Sequence, residues 1–116
     1  MSDGILPEFT VSSERLSSDS YLLRVTGELD LYTAPQLENE FVCMLRDGAA
    51  YVLVDLREVP FLDSSGLGVL LAAANRLGKD GLVLTGLGIE SRRVLEITGA
   101  DRLLTLVDVS PSGAPA

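Results

Sequence analysis

The sequence has no histidine, one cysteine and one lysine, and the shortages exclude whole classes of chemistry. Without histidine the chain cannot form a Ser-His-Asp triad or a Cys-His pair, and it has no imidazole ligand for zinc or iron. The single cysteine, Cys43, cannot form an internal disulfide or a thiolate cluster. Its position in the apolar run 41–45 predicts a small buried side chain.

Positive charge is also scarce. The 116 residues carry 9 Lys and Arg against 17 Asp and Glu, which gives a formal net charge of −8. Nucleic acid is not an expected partner, because neutralising phosphates requires clustered basic side chains. A membrane span is not expected either, because the longest apolar stretch, near residues 66–74, is far shorter than the roughly 20 residues that a span needs. Residues 1–4 show no signal-peptide pattern, so the chain is predicted to be one cytoplasmic domain.

Hydrophobic periodicity and turn residues predict an α/β fold. Crossovers between strand, helix and strand make the strands parallel, so we predict a mixed sheet of four or five strands with helices packed on it. The domain covers residues 8–109, between a short N-terminal extension at 1–7 and a flexible tail at 110–116. The predicted strands lie near 9–12, 21–26, 51–56, 82–85 and 105–109, and the predicted helices near 33–47, 64–77 and 90–98.

Two local features sharpen this prediction. Thr33 followed by Gln36 is the sequence pattern of a capping box at the start of the first helix. The segment 51–56 is almost continuously apolar, which is typical of a central strand that is covered on both faces.

Functional residues of such sheets usually lie in the loops after the carboxyl ends of the strands. Two of these loops, at 27–30 and 60–68, combine acidic residues with glycine and serine. In the second loop, Asp63 or Ser64 caps the following helix, because Asp and Ser are common N-cap residues. The alternative is an exposed serine that accepts a phosphate, which adds about −1.5 to −2 charge at neutral pH. The two interpretations are compatible, and spacing alone does not separate them.

Enzymatic interpretations of these segments are weak. Ser64 is not in a G-x-S-x-G elbow, and no histidine is present to act as its base. Residues 81–86 have the glycine spacing of a P-loop, but a leucine follows where the lysine is required. Asp30, Asp55 and Asp63 are candidates for sharing a metal, yet Asp55 lies inside a strand, where a salt bridge explains it equally well. We therefore predict neither a catalytic residue nor a metal site.

Four segments form a distinctive set, which is 27–30 (GELD), 52–56 (VLVDL), 61–68 (FLDSSGLG) and 94–99 (VLEITG). In this order and spacing they resemble STAS domains, and more closely the stand-alone anti-sigma factor antagonists of bacteria. The similarity covers about residues 8–109, and DSSGLG is its most specific part.

The resemblance implies a partner switch without enzymatic activity. In this family the unphosphorylated antagonist binds an anti-sigma factor, typically a serine kinase of the GHKL ATPase type, and so frees a sigma factor for RNA polymerase. The kinase phosphorylates the first serine after the motif aspartate, which is Ser64 here, and a PP2C-type phosphatase removes the phosphate. ATP and magnesium belong to the kinase, so no cofactor is expected in this chain.

The resemblance also places the partner-binding surface around this serine. Leu67 contacts the partner or packs inward, and its helical spacing favours the core. Thr33 is expected to contact the partner at the rim of this surface and also to cap the first helix. Gly66 and Gly68 keep the backbone open for close approach of the partner. The expected partner-binding residues are Asp30, Tyr32, Thr33, Asp63, Ser64, Ser65, Gly66 and Leu67.

Two other functions stay open. A STAS adaptor in a signalling scaffold or a lipid-transport complex would use the same surface constitutively, with Ser64 acting only as a cap. Hydrolysis or transfer of nucleotide phosphates is disfavoured, because the sequence lacks a P-loop, a histidine and a basic cluster.

Overall fold

The computed structural model describes residues 8–78 and 80–107, and within them the predicted α/β architecture is confirmed. The elements are β1 (Thr10–Arg15), β2 (Ser20–Thr26), α1 (Ala34–Arg46), β3 (Tyr51–Glu58), α2 (Ser64–Leu77), β4 (Leu82–Thr85), α3 (Ile89–Thr98), a 3-10 turn (Ala100–Arg102) and β5 (Thr105–Val107). β1 and β2 form an antiparallel hairpin, while β2 to β5 are parallel. The order of the strands across the sheet, β1-β2-β3-β4-β5, follows their order in the chain.

Some predicted segments lie outside the described residues. They are the extension at 1–7, the tail at 110–116 and the last two residues of the strand predicted at 105–109. Within the described part, the mixed sheet has five strands, the upper of the two numbers predicted.

The three α-helices of the described residues lie on one face of the sheet. Each connection between parallel strands advances by one strand in the same direction, and because such connections are right-handed, they place the helices on the same side. Leu23 of β2, Val54 of β3 and Leu84 of β4 are neighbours in register and fully buried on this side. One hydrophobic cluster joins them to side chains of α1, α2 and α3. The core is therefore a single layer between one sheet face and the helices.

The apolar stripe of α1 explains its packing. Leu37, Phe41 and Met44 recur at helical spacing and are buried. Cys43 is exposed, so the prediction of a buried thiol is wrong. It directly precedes Met44, and one residue of an α-helix is a rotation of about 100°, which turns Cys43 away from the core. Within the described residues, no helix is long and apolar enough to cross a membrane.

The other face of the sheet carries no helix in the described part of the chain, so the prediction that β3 is covered on both faces is wrong. Tyr51 is exposed and Leu53 is half-buried on this side. Asp55 is buried, but side chains cover it: an Nη of Arg57 lies 3.2 Å and the Nε of Arg24 lies 3.8 Å from its carboxylate. An apolar run does not show which of its alternating faces meets a second layer.

Candidate functional site

A backbone bridge beyond the strand ends joins the two loops that the sequence singled out. Leu29 and Leu62 pair in parallel: the N–H of Leu29 donates to the Phe61 carbonyl at 2.9 Å, and the N–H of Asp63 donates to the Leu29 carbonyl at 3.1 Å. Both leucines are buried. Asp30 follows Leu29 just as Asp63 follows Leu62, so the two predicted acidic residues occupy matching positions at one edge of the sheet.

Asp63 caps α2. One oxygen of its carboxylate accepts hydrogen bonds from the N–H groups of Ser65 at 2.8 Å and Gly66 at 3.1 Å. The sequence did not decide whether Asp63 or Ser64 is the N-cap residue of α2, and the structure shows that it is Asp63. Ser64 is the first residue of α2, and its exposed side chain takes no part in the cap. A hydroxyl is thus presented to solvent at the start of a helix whose N-terminus is already capped.

The two glycines of the same turn have different surroundings. Gly66 is buried, and a Cβ there would lie 2.5 Å from Cγ of Leu29 and 2.9 Å from Cδ1 of Leu62. Gly68 is exposed, and a Cβ there would meet nothing within 4 Å. Gly66 is therefore required for α2 to pack on the leucine bridge, while Gly68 leaves an open surface on the outer side of the helix.

Asp30 orders the first loop in the same way. One oxygen of its carboxylate accepts hydrogen bonds from the N–H groups of Tyr32 at 2.9 Å and Thr33 at 3.0 Å. Tyr32 projects from this turn and is 84% exposed. The loop is therefore ordered by its own hydrogen bonds while it presents an aromatic ring to solvent.

The capping box predicted at Thr33 does not form. The Thr33 hydroxyl donates to the Glu28 carbonyl at 2.8 Å and accepts from the N–H of Asp30 at 2.9 Å, so it is engaged within its own loop. It makes no cap hydrogen bond with α1, and the N–H of Gln36 donates instead to the Thr33 carbonyl. The half-buried Thr33 thus holds the loop together from inside.

Two further residues are placed away from this surface. Leu67 is only 5% exposed and belongs to the core cluster, which supports the inward packing that its spacing favoured. Asp55 lies with arginine partners on the sheet face opposite the helices, apart from Asp30 and Asp63. Among the residues that the structure describes, no group of three or more His, Cys, Asp or Glu side chains is arranged to hold a metal ion.

Exposed apolar side chains surround the loops, and sequence reasoning missed three of them as contact residues. Leu31 is 64%, Phe61 49% and Ile89 77% exposed. Leu31 and Phe61 are apolar residues next to or near the loop aspartates, a signal that was present in the sequence. Ile89 could be recognised as a contact residue only from the strand order, because the pairing of β3 with β4 brings the ends of these strands together.

We call this region the carboxyl edge and define it as residues 27–33, 59–66 and 86–90. It contains four acidic residues and no lysine or arginine. The acidic residues are Glu28, Asp30, Asp63 and Glu90. The carboxyl edge therefore combines an anionic surface with exposed apolar side chains and one exposed serine, an arrangement suited to docking a protein.

The chain matches a known family. Residues 12–108 match the family model described as "Mlab, STAS domain". The chain belongs to the STAS domain family, and its mixed sheet of five strands with three helices is the fold of the solved structures that it resembles.

The most similar relatives include anti-sigma factor antagonists. The anti-sigma-B factor antagonist of Staphylococcus aureus is 38% identical over 86 residues, which are 72% of this chain and 80% of the relative. An anti-sigma factor antagonist from Mycobacterium paratuberculosis has a crystal structure with a TM-score of 0.79 and 31% identity, covering 91% of each chain. The phosphorylated Bacillus cell fate determinant SpoIIAA shares the fold, with a TM-score of 0.70 and 19% identity over 89% of this chain and 94% of its own.

Proposed function

We propose that this chain is an anti-sigma factor antagonist that is switched off by phosphorylation of Ser64. Its unphosphorylated form binds an anti-sigma factor, itself a serine kinase, and thereby frees a sigma factor. The observation that carries the proposal is the exposed Ser64 side chain at the start of α2, outside the cap that Asp63 forms. The names of the relatives in Staphylococcus aureus and Mycobacterium paratuberculosis support the same function.

The local geometry favours Ser64 over Ser65 as the phosphate acceptor. Ser64 is exposed, whereas Ser65 is half-buried and its N–H is bound by the Asp63 carboxylate. A kinase must place the γ-phosphate of ATP in line with the acceptor hydroxyl. Ser64 offers that approach without disturbing the helix start.

A phosphate on Ser64 would oppose docking for an electrostatic reason. The carboxyl edge contains no lysine or arginine to pair with a phosphate, and the Asp63 carboxylate already accepts from the first N–H groups of α2. Burying an unpaired charge beside apolar contacts costs several kcal/mol. We therefore expect phosphorylation to weaken binding by at least about tenfold, which corresponds to about 1.4 kcal/mol.

The partners proposed for this cycle follow the family. The kinase is of the GHKL type, a PP2C-type phosphatase restores the hydroxyl, and the cycle takes place in the cytoplasm. The chain itself catalyses no step and needs no cofactor, because ATP and magnesium are bound by the kinase.

The first experiment is phosphosite mapping by mass spectrometry on the protein purified from its own cells with phosphatases inhibited. Proteins that co-purify are identified in the same run. We expect phosphate on Ser64 and a GHKL kinase bound to the unphosphorylated fraction. Phosphate on Ser65 alone, or on neither serine under any growth condition, would contradict the proposed switch.

Variants then test the switch with the kinase identified in that run. Ser64→Ala should bind like the wild type but should not be released by ATP, because the acceptor hydroxyl is missing. Ser64→Asp should bind at least about tenfold more weakly. Ser65→Ala is the matched control and should bind and be released like the wild type. Equal binding by wild type, Ser64→Ala and Ser64→Asp, together with a wild type that the kinase never phosphorylates, would rule out the switch.

A second candidate is a constitutive STAS adaptor in a signalling scaffold or a transport complex. It is favoured by the Asp63 cap, which completes the start of α2 without any modification. The same mass-spectrometry experiment separates the two functions. An unmodified Ser64 with a different stable partner would establish the adaptor.

A further inference from the structure

The sheet face opposite the helices carries a continuous apolar row. Leu22 of β2, Leu53 of β3 and Val83 of β4 are neighbours in register, and all three are half-buried. Tyr51 and Leu16 extend this apolar surface and are 53% and 55% exposed. Within residues 8–78 and 80–107 no helix packs on this side, which we call the open face. A sheet normally buries its apolar face against a second layer.

Charges of opposite sign flank the row. Toward the carboxyl ends of the strands, Arg24 and Arg57 lie against the single buried carboxylate of β3, so two cations face one anion. Toward the amino ends lie Asp19, whose carboxylate accepts from the Ser20 hydroxyl at 3.4 Å, and the exposed Asp80. Among residues 8–78 and 80–107, the open face is therefore positive at one end and negative at the other.

We propose that the open face binds a second copy of this chain. The two copies would be related by a two-fold axis that follows the apolar row and therefore runs across the strands. Rotation about this axis stacks one row on the other and brings the positive end of each copy against the negative end of its partner. An axis along the strands would instead place the positive end of one copy against the positive end of the other, which like-charge repulsion disfavours. A partner of a single charge sign would match only one end of the face. The charge pattern thus favours a second copy and selects its orientation.

A cavity on the open face fits this arrangement. It has a volume of about 300 Å³, lies at the negative end and is lined in part by Tyr51, Leu53, Asp80 and Val83. An arginine from the second copy would find an apolar wall for its methylene groups, the Tyr51 ring for its guanidinium and the Asp80 carboxylate beside it. The two-fold axis repeats this contact, so the dimer contains it twice.

The size of the face predicts a weak dimer. Strands about 4.8 Å apart, with residues at about 3.3 Å along each, give the five-stranded face an area of roughly 450 Å² in projection. Stable interfaces bury about 800 Å² per partner, so we expect a dissociation constant on the order of 100 μM. The carboxyl edge stays accessible in this dimer, and the proposal therefore does not depend on the proposed function.

Sedimentation equilibrium of the full chain tests the dimer directly. The measurement covers about 10 μM to about 1 mM, on both sides of the expected dissociation constant. We expect the average mass to rise from that of one chain toward that of two. A mass of one chain throughout, or a mass that rises beyond two chains, would overturn the closed two-fold dimer.

A charge exchange tests the orientation. Asp19→Lys and Arg24→Glu should each weaken self-association at least about fivefold, because each places like charges together in both contacts. An equimolar mixture should restore dimerisation, since one contact keeps the natural pair and the other contains Lys opposite Glu. Circular dichroism checks that both variants are folded. Self-association of either variant at wild-type strength, or a mixture no stronger than the variants alone, would contradict the orientation.

The proposed two-fold axis also brings two glutamates together at the edge of the sheet. Glu14 pairs in register with Leu22, so the two copies of Glu14 would lie opposite each other at the end of the row. Glu14→Gln should therefore tighten the dimer about two- to threefold, as expected for removal of an exposed like-charge pair. Glu38→Gln on α1 makes the same change in net charge away from the interface and should leave the dimer unchanged. Equal effects of both substitutions would contradict the interface.

Discussion

The two loops of the carboxyl edge share one backbone arrangement and present different side chains with it. In each loop an aspartate follows a leucine of the Leu29–Leu62 bridge and accepts from the N–H groups two and three residues ahead. These distances are 2.9 and 3.0 Å for Asp30, and 2.8 and 3.1 Å for Asp63. The residue directly after each aspartate is exposed, and it is Leu31 in the first loop and Ser64 in the second. The same turn thus offers an apolar contact in one loop and a modifiable hydroxyl in the other.

The loops also differ three residues after each aspartate. Thr33 occupies this position in the first loop, where its hydroxyl joins the Glu28 carbonyl and the Asp30 N–H. Gly66 occupies it in the second, where a side chain would collide with Leu29. The first loop is held by a side-chain hydrogen bond and the second by close packing, so the two should respond differently to substitution.

The largest effect is expected from filling the space at Gly66. Gly66→Ala places a methyl group 2.5 Å from Cγ of Leu29 and should lower the free energy of unfolding by about 2–3 kcal/mol, because the buried bridge must shift. Gly68→Ala in the same helix should raise the free energy of unfolding by about 0.5–1 kcal/mol, because alanine favours the helix and nothing obstructs it. Urea denaturation measures both. A stable Gly66→Ala variant would show that the second loop is not held by packing.

An intermediate effect is expected from removing each aspartate. Asp63→Ala should lower the free energy of unfolding by about 1–2 kcal/mol, because the N–H groups of Ser65 and Gly66 lose their acceptor. Asp63→Asn keeps an acceptor oxygen and should stay within about 0.5 kcal/mol of the wild type.

Asp30→Ala should lower the free energy of unfolding by about 1 kcal/mol, since Thr33 still joins the first loop. Urea denaturation of these three variants compares the loops directly. A larger loss for Asp30→Ala than for Asp63→Ala would contradict this ranking.

The smallest effect on stability is expected from substituting Leu31, and this substitution should also weaken binding. Leu31→Ser gives the first loop the residue that the second has at this position. Since Leu31 is 64% exposed, the free energy of unfolding should change by less than about 0.5 kcal/mol. Affinity for the anti-sigma factor, measured by calorimetry, should fall about five- to tenfold, because an apolar contact is lost. Val42→Ser on α1 is an exposed apolar control outside the carboxyl edge, and equal losses in both variants would argue against a docking role for Leu31.

Local sequence signals predicted much of the fold and pointed to the centre of the candidate site. The spacing of Leu37, Phe41 and Met44 predicted α1, and the crossovers predicted the parallel sheet. The capping chemistry of Asp and Ser pointed to the start of α2. These features depend on residues a few positions apart, so the sequence contains most of the information that determines them.

The features that sequence reasoning missed depend on contacts between distant residues. The Leu29–Leu62 bridge joins residues from two separate loops, and the Thr33 hydroxyl was assigned to a helix because its tertiary partner, the Glu28 carbonyl, was not visible. The uncovered side of β3 follows from the shared direction of all the crossovers. Ile89 joins the carboxyl edge only through the neighbouring strand.

The Leu29–Leu62 bridge also has a thermodynamic consequence for recognition. Because it fixes both loops before any partner arrives, association does not have to restrict their backbone freedom. A preorganised surface of this kind loses little conformational entropy on binding, so more of the contact energy appears as affinity. In the switch proposed above, the kinase and the phosphatase meet the same backbone shape, and the phosphate itself is then the main difference between the two states.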